Sequence, residues 1–319
     1  MGKILSTVRY EINNNDDGIK LSHLLEILWR YKVFIILFTV VCSSAITVYA
    51  ISKPNVYTAH GLYTPKSDDS SGGLAKLAGQ FGGLASMAGV NIGGSGESKT
   101  DVAIELLASR YFLQSFIEKH DLIAPLLAAT DWDEQTDSLV YDLELYDPQQ
   151  QKWVREAPPG KAVEPTAWEA YTNLKNNITV DYESKKGLIK ISLDYYSPKL
   201  AAQWLNLLVK DMNEFWQQKE LDETQRNIEL LSKKAENTQL AEIREVFFSL
   251  IADQTKSNLL AQTTEEPMFQ TVADVIVPEE KSAPSRALLC IIGFIFSGFF
   301  ACVISMFLGI SKKRNELYG

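Results

Sequence analysis

The sequence predicts an α+β membrane protein in which two transmembrane helices flank a periplasmic α/β base domain that carries a long helical hairpin. Three observations predict it. Two uncharged apolar runs sit near opposite ends of the 319-residue chain, at residues 33–51 and 287–310. Between them, short alternating strands are mixed with amphipathic helices. One stretch of that segment, residues 199–262, contains neither Gly nor Pro.

The first run, VFIILFTVVCSSAITVYAI, has 19 residues and just crosses a hydrocarbon core of about 30 Å at about 1.5 Å per residue. The second, ALLCIIGFIFSGFFACVISMFLGI, has 24 and spans with some tilt. A buried helix of a soluble protein is the alternative for each. Their basic flanks favour the bilayer. The first run starts too far into the chain for a cleaved signal peptide and lacks a small-x-small site. Arg30 and Lys32 precede it, and Lys312, Lys313 and Arg314 follow the second run. Lys53, Lys281 and Arg286 lie on the other side, two of them near Glu279 and Glu280. This bias places both termini in the cytoplasm and residues 52–286 in the periplasm of a bacterial inner membrane. All three cysteines, Cys42, Cys290 and Cys302, fall inside the runs, so packing alone must hold the outer segment.

A net charge of −9 and a pI near 5.0 argue against a nucleic-acid binder that needs a basic face. His23, His60 and His120 form no ligand pair at helical spacing. No metal or cofactor is expected.

Residues 1–32 form a tail. In it Ile19, Leu21, Leu24, Leu25 and Leu28 recur at helical spacing, as an amphipathic helix on the inner leaflet or as an extension of the span. Residues 52–196 are read as the base domain: a strand at 56–64, a Gly/Ser-rich loop at 67–98, and one amphipathic helix over 101–120. An acidic, turn-rich stretch at 130–165 follows, then a short helix at 166–177. Residues 177–183 and 188–196 form a hairpin about a turn at 184–187.

Ser197 is a candidate N-cap with Pro198 in the first turn of the next helix. Residues 197–263 are read as an antiparallel helical hairpin with its tip near Asn237-Thr238; one continuous rod is the alternative. Apolar residues repeat at spacings of three and four: Leu205, Leu208, Met212 and Phe215, then Ile228, Leu231 and Ala235, then Leu240, Ile243, Phe247 and Leu250. So long a helix exceeds what one core absorbs. Leu205, Leu208, Met212 and Phe215 are therefore expected to meet other copies of the chain. Residues 264–286 complete the base, with a strand at 269–278. Pro278 and Pro284 stiffen the approach to the second span, with Arg286 at its entry. Gly293, Gly298, Ala301 and Ser305 gather small residues on one side of that span, which permits close helix packing. Residues 311–319 form a cytoplasmic tail.

Three motifs could suggest chemistry. GGSGESKT at 93–100 is one substitution from a phosphate-binding loop, but Ser98 stands where the second glycine must be. Chance in a Gly/Ser-rich loop accounts for it better. Asp131, Asp133 and Glu134 read as a solvated acidic loop rather than a catalytic pair. Trp132, Trp153 and Trp168 could stack on sugar rings, though anchoring in a core is the expected role.

The layout resembles the Wzz-type chain-length determinants, the polysaccharide co-polymerases of O-antigen and related glycans. The resemblance covers nearly the whole chain. It rests on LSHLLEILWRYK, GGLASMAG, AIELLASRYFLQSFIEKHDL, WEAY, NITVDYESKKGLIKISLDYYSPKLAAQWLN, AEIREVFFSLIADQTK and, most strongly, VPEEKSAPSRALL. It implies a kinase-free, non-enzymatic regulator: a homo-oligomeric ring of about eight protomers, working with a Wzy-type polymerase on lipid-linked polysaccharide. An accessory component of a polysaccharide exporter is the rival function with the same two-span layout. An enzyme lacks support, because no nucleophile–base arrangement, metal cluster or intact phosphate loop is present.

Overall fold

The computed structural model describes residues 28–66 and 99–318, and side chains up to residue 308. The expected helix at 19–28 and the loop at 67–98 lie essentially outside the described residues. The chain divides into two compact units, 1–53 with 285–319, and 54–284.

The first unit contains α1 (Lys32–Ser52) and a C-terminal helix (Arg286–Tyr318). Residues 286–308 of the latter are apolar enough to cross a membrane, as is all of α1. Both helices leave large apolar side chains uncovered, among them Ile36, Val41, Ile295 and Phe299. Water would penalise two such surfaces; lipid does not. The chain is an α+β membrane protein with one apolar helix near each end.

The second unit is built on a four-stranded antiparallel sheet. Its strands are β1 (Tyr57–Pro65), β6 (Ile178–Glu183), β7 (Leu188–Tyr195) and β8 (Phe269–Ala273), in the order β6-β7-β1-β8. β7 carries Ile189, Ile191, Leu193 and Tyr195 inward, at the spacing of two that strands impose. In β1, Gly61 is required by a close approach: a Cβ there would stand 2.3 Å from Tyr63 Oη, because the buried Tyr63 ring folds back over it.

Four helices precede the hairpin in this unit: α2 (Lys99–Leu107), α3 (Arg110–Lys119), α4 (Ile123–Ala128) and α5 (Ala167–Asn177). The single helix expected over 101–120 is therefore two. Ser109 adopts extended backbone, and its hydroxyl accepts from Phe112 N–H at 3.3 Å. A serine able to cap starts a new helix where apolar periodicity alone would continue the old one. The acidic stretch also holds more structure than expected, in two small hairpins: β2 (Ala129–Asp133) with β3 (Ser138–Tyr141), and β4 (Tyr146–Asp147) with β5 (Lys152–Trp153).

The long helices are α6 (Pro198–Glu236) and α7 (Ala241–Thr263); the C-terminal helix is α8. Ser197 caps α6 through its side chain, accepting from Leu200 N–H at 3.4 Å. At the other end Asn237 Nδ2 donates to Lys233 C=O, and Arg244 reaches back to Thr238 C=O at 2.8 Å. The first bond serves one of the carbonyls that a terminating helix would orphan, and the second ties α7 to the turn. α7 returns antiparallel along α6. Gln217 Nε2 donates to Ala261 C=O at 2.8 Å, Asn258 Nδ2 to Thr224 Oγ1 at 2.8 Å, and Asn227 Nδ2 to Gln254 Oε1 at 3.5 Å. Few large apolar side chains are buried between the two helices, so this polar ladder fixes their register.

Candidate functional site

Within the first unit the two spans pack antiparallel, and the small residues of α8 face α1. A Cβ at Gly293 would lie 2.7 Å from Ile46 Cδ1 and 2.8 Å from Ile46 Cγ2, so only glycine permits this approach. Gly298 is looser, with Thr39 Oγ1 at 3.9 Å from its ideal Cβ. Ala301 and Ser305 are fully buried. Ser297, which the sequence reading missed, stands midway between Gly293 and Ala301 at the same spacing of four, and its Oγ lies 3.4 Å from Ser43 Oγ. Thr47 Oγ1 is 3.6 Å from Cys290 Sγ. Such hydroxyls bond across helices where water is absent.

Arg286, expected at the entry of the second span, reaches the end of the first. Its Nε donates to Ala50 C=O at 3.1 Å, and a terminal nitrogen donates to Lys53 C=O at 3.1 Å. Both carbonyls belong to the C-terminal end of α1, where a cation also meets the negative end of the helix dipole.

Pro278 and Pro284 belong to the second unit. The segment they bracket runs beside the start of β1: Val56 N–H donates to Ala283 C=O and Ser282 N–H to Val56 C=O, each at 2.8 Å. Ser282 Oγ accepts from Thr58 N–H at 3.0 Å. The Ala283–Pro284 peptide is cis. The outgoing strand is shorter than expected; β8 ends at Ala273, and Ile276 and Val277 are exposed.

At the base of the hairpin the structure corrects a reading. Leu205, Leu208 and Met212 are fully buried against the sheet of their own protomer, not offered to another copy. Phe215 is half-buried, edge-on to Tyr111 and Phe112. The spacing of three and four reported burial correctly; the burying partner is the base domain. The outward apolar residues of the hairpin are instead Leu230, Leu240, Phe248, Leu259 and Leu260, each more than half exposed.

Beside that core, Asp211 joins α6 to α3. It accepts from Lys119 Nζ at 2.9 Å and lies 2.8 Å from His120 Nε2. Lys119 also donates to Glu214, and its hydrogen bonds to the two carboxylates raise its pKa. Across the short hairpins, Arg155 forms a bidentate pair with Glu169 at 3.1 Å for each bond and also donates to Val163 C=O. The Arg155 hydrogen bonds come first in holding the Glu169 carboxyl below the usual range, and Lys161 adds to them.

Residues 93–98 of GGSGESKT lie outside the described residues; Lys99 and Thr100 open α2. Asp133 accepts from Gln135 N–H and Thr136 Oγ1, bonds that lower its pKa and mark it as a turn residue. Among the described residues no three His, Cys, Asp or Glu side chains gather as for a metal ion. None of the three tryptophans anchors a core as expected. Trp132 and Trp153 are half-buried, and Trp168 is 57% exposed with Arg110 stacked 3.5 Å from its ring centre. The core positions belong to Trp204 and Trp216.

The family model of the Wzz chain length determinant protein matches residues 17–120. Among solved structures, the chain is similar to a full-length bacterial polysaccharide co-polymerase at 16% identity and a TM-score of 0.36, over 93% of this chain and 99% of that one. It is also similar to a fragment of WzzB, a polysaccharide co-polymerase from Salmonella Typhimurium, at 13% identity and a TM-score of 0.28, over 72% of this chain and all of that one. No curated protein matches.

Proposed function

We propose, from the premise that this is a Wzz-type chain whose segment 17–120 matches the chain length determinant family, that it sets the modal length of a surface polysaccharide such as O-antigen. That match is the observation that carries the reading. The proposed protein acts without catalysis, in the bacterial inner membrane, with both termini cytoplasmic and residues 52–286 periplasmic. Copies assemble into a ring, of about eight protomers by resemblance, around a Wzy-type polymerase that extends lipid-linked glycan. The hairpin supports assembly: its outward leucines and Phe248 are uncovered, and a second copy is their natural cover. The span pair supports membrane coupling, since Arg286 and Gly293 tie α8 to α1 as one body. Pro278 and Pro284 are proposed to hold the segment next to the polymerase in shape.

Deleting the gene in its host and resolving the surface polysaccharide on a silver-stained gel tests this. The expected result is collapse of a modal ladder to a short-weighted one, restored by the gene. An unchanged distribution with loss of surface polymer would point to an export accessory instead. In the complemented strain, Pro278→Ala with Pro284→Ala is expected to broaden the ladder.

A further inference from the structure

Trp168 opens a surface that its neighbours do not explain as packing. It stands in the first turn of α5, 57% exposed. Arg110, the first residue of α3, lies with its guanidinium carbon 3.5 Å from the Trp168 ring centre and 4.9 Å from that of Tyr171. Lys175, one turn along α5, places its ammonium 5.7 Å from the same Tyr171 ring. Tyr171 itself is buried, so each of the two cations lies against the same rigid ring.

Neither cation has a carboxylate partner among the described residues. Glu169, adjacent to Trp168 in sequence, is already committed to Arg155 and Lys161. The protein as a whole is acidic, with 40 Asp and Glu against 31 Lys and Arg, so carboxylates to neutralise such a pair are in surplus elsewhere. Each cation is left without a counter-ion, and an arriving anion would supply one. Stacking on indole aligns the guanidinium plane while leaving its N–H edge free to donate to a carboxylate or phosphate. More than half of Trp168 remains uncovered with Arg110 in place, and an indole offers a flat apolar surface of the kind that the C–H face of a sugar ring covers.

We propose that Arg110, Trp168 and Lys175 form a binding surface for an anionic saccharide chain: a sugar ring stacks on Trp168, and carboxylates or phosphates along the chain pair with Arg110 and with Lys175. The inference rests on the proposed action on a growing glycan and names the class of sugar residue touched. Arg110, Trp168 and Lys175 are all exposed, as contact with a passing polymer requires. It commits the contact to α3 and α5 of the base domain rather than to the hairpin.

The test is calorimetric titration of the full chain, held in lipid nanodiscs, with oligogalacturonate. Parallel titrations use a neutral oligosaccharide of equal length, inorganic polyphosphate and a polyglutamate peptide. The expected result is binding of oligogalacturonate, weakened about tenfold or more in Trp168→Ala and in Lys175→Gln, as loss of a charge-assisted contact implies. Arg110→Gln should do the same, and circular dichroism melts of all three should stay close to the parent. Because Lys175 is exposed, its variant keeps the test valid should Arg110→Gln disturb the fold. Absence of binding, equal binding of the neutral oligosaccharide, or unchanged affinity in Trp168→Ala and Lys175→Gln would each overturn the proposal. Equal binding of polyphosphate or polyglutamate would overturn its saccharide claim. A deletion strain with an unaltered ladder would sink the chain-length reading while leaving this titration to decide the site independently.

Discussion

Asn213 takes the place of a missing strand beside Phe269. Its Nδ2 donates to Phe269 C=O at 3.0 Å and its Oδ1 accepts from Phe269 N–H at 2.9 Å. The same oxygen accepts from Met268 N–H at 3.1 Å. β8 is an edge strand, and Glu266 covers its next outward N–H, at Thr271. Two side chains thus occupy the edge that would otherwise invite another strand. Asn213 is buried, so Asn213→Leu strands three backbone groups away from water. The expected loss is about 2–4 kcal/mol, from about 1–3 kcal/mol for each unmatched buried group with partial relaxation. Thermal unfolding of the purified chain checks it. A melt within experimental error of the parent would show that the edge does not need the asparagine.

The start of α6 is legible in Ser197-Pro198, because a capping hydroxyl and a fixed φ act locally. The β6–β7 hairpin is legible for a similar reason, in alternation about a turn. Asn213 was not legible: a polar residue inside an apolar stripe looks like an exposed one until a distant strand is laid against it. Leu205 and Met212 show the complementary limit. Their spacing reports that they are buried, and nothing local reports whether a sheet or a second copy buries them. β2 to β5 are too short for alternation to register. At the candidate site, Trp168 is a visible tryptophan, but its pairing with Arg110 joins helices 58 residues apart in sequence and exists only in the fold.

Gly293 and Gly298 separate a required glycine from a permissive one. At Gly293 the intruding methyl meets Ile46, whose branched Cβ leaves little freedom. Gly293→Ala should destabilise the span pair by about 1–3 kcal/mol, the usual cost of overpacking. Gly298→Ala should be near neutral. Ile46→Ala combined with Gly293→Ala should recover much of the loss, since it removes the atoms that clash. Thermal denaturation in detergent reads all three, and a Gly293→Ala chain as stable as the parent would refute the close approach.

Glu169 makes stability depend on acid. Its folded pKa lies below the usual carboxylate range because of Arg155 and then Lys161. The stabilisation is therefore present above its unfolded value of about 4.3 and is lost as pH falls through the lower folded value. Glu169→Gln should cost about 1.5–3 kcal/mol at neutral pH, as for a hydrogen bond to a charged group that is largely shielded from solvent. Near pH 3 and below, the gap between variant and parent should narrow. Unfolding curves at both values test the sign; a gap that widens in acid would contradict it.

Leu205 and Leu260 lie on the same hairpin and should fail in different ways. Leu205 is fully buried in its own protomer, so Leu205→Ala should lower stability by about 2–5 kcal/mol, the cost of a core cavity. Whatever folds should keep its oligomeric state. Leu260 and Phe248 are more than half exposed, so Leu260→Asp with Phe248→Asp removes little from the protomer's core. If copies cover that surface, the pair of charges must be desolvated at the contact, and the assembly should shift toward smaller species. Sedimentation of the detergent-solubilised protein separates the cases when read beside its melting curve. Should the double aspartate variant sediment like the parent, the outward face of the hairpin is not where copies meet, and assembly must run through the base domain or the spans.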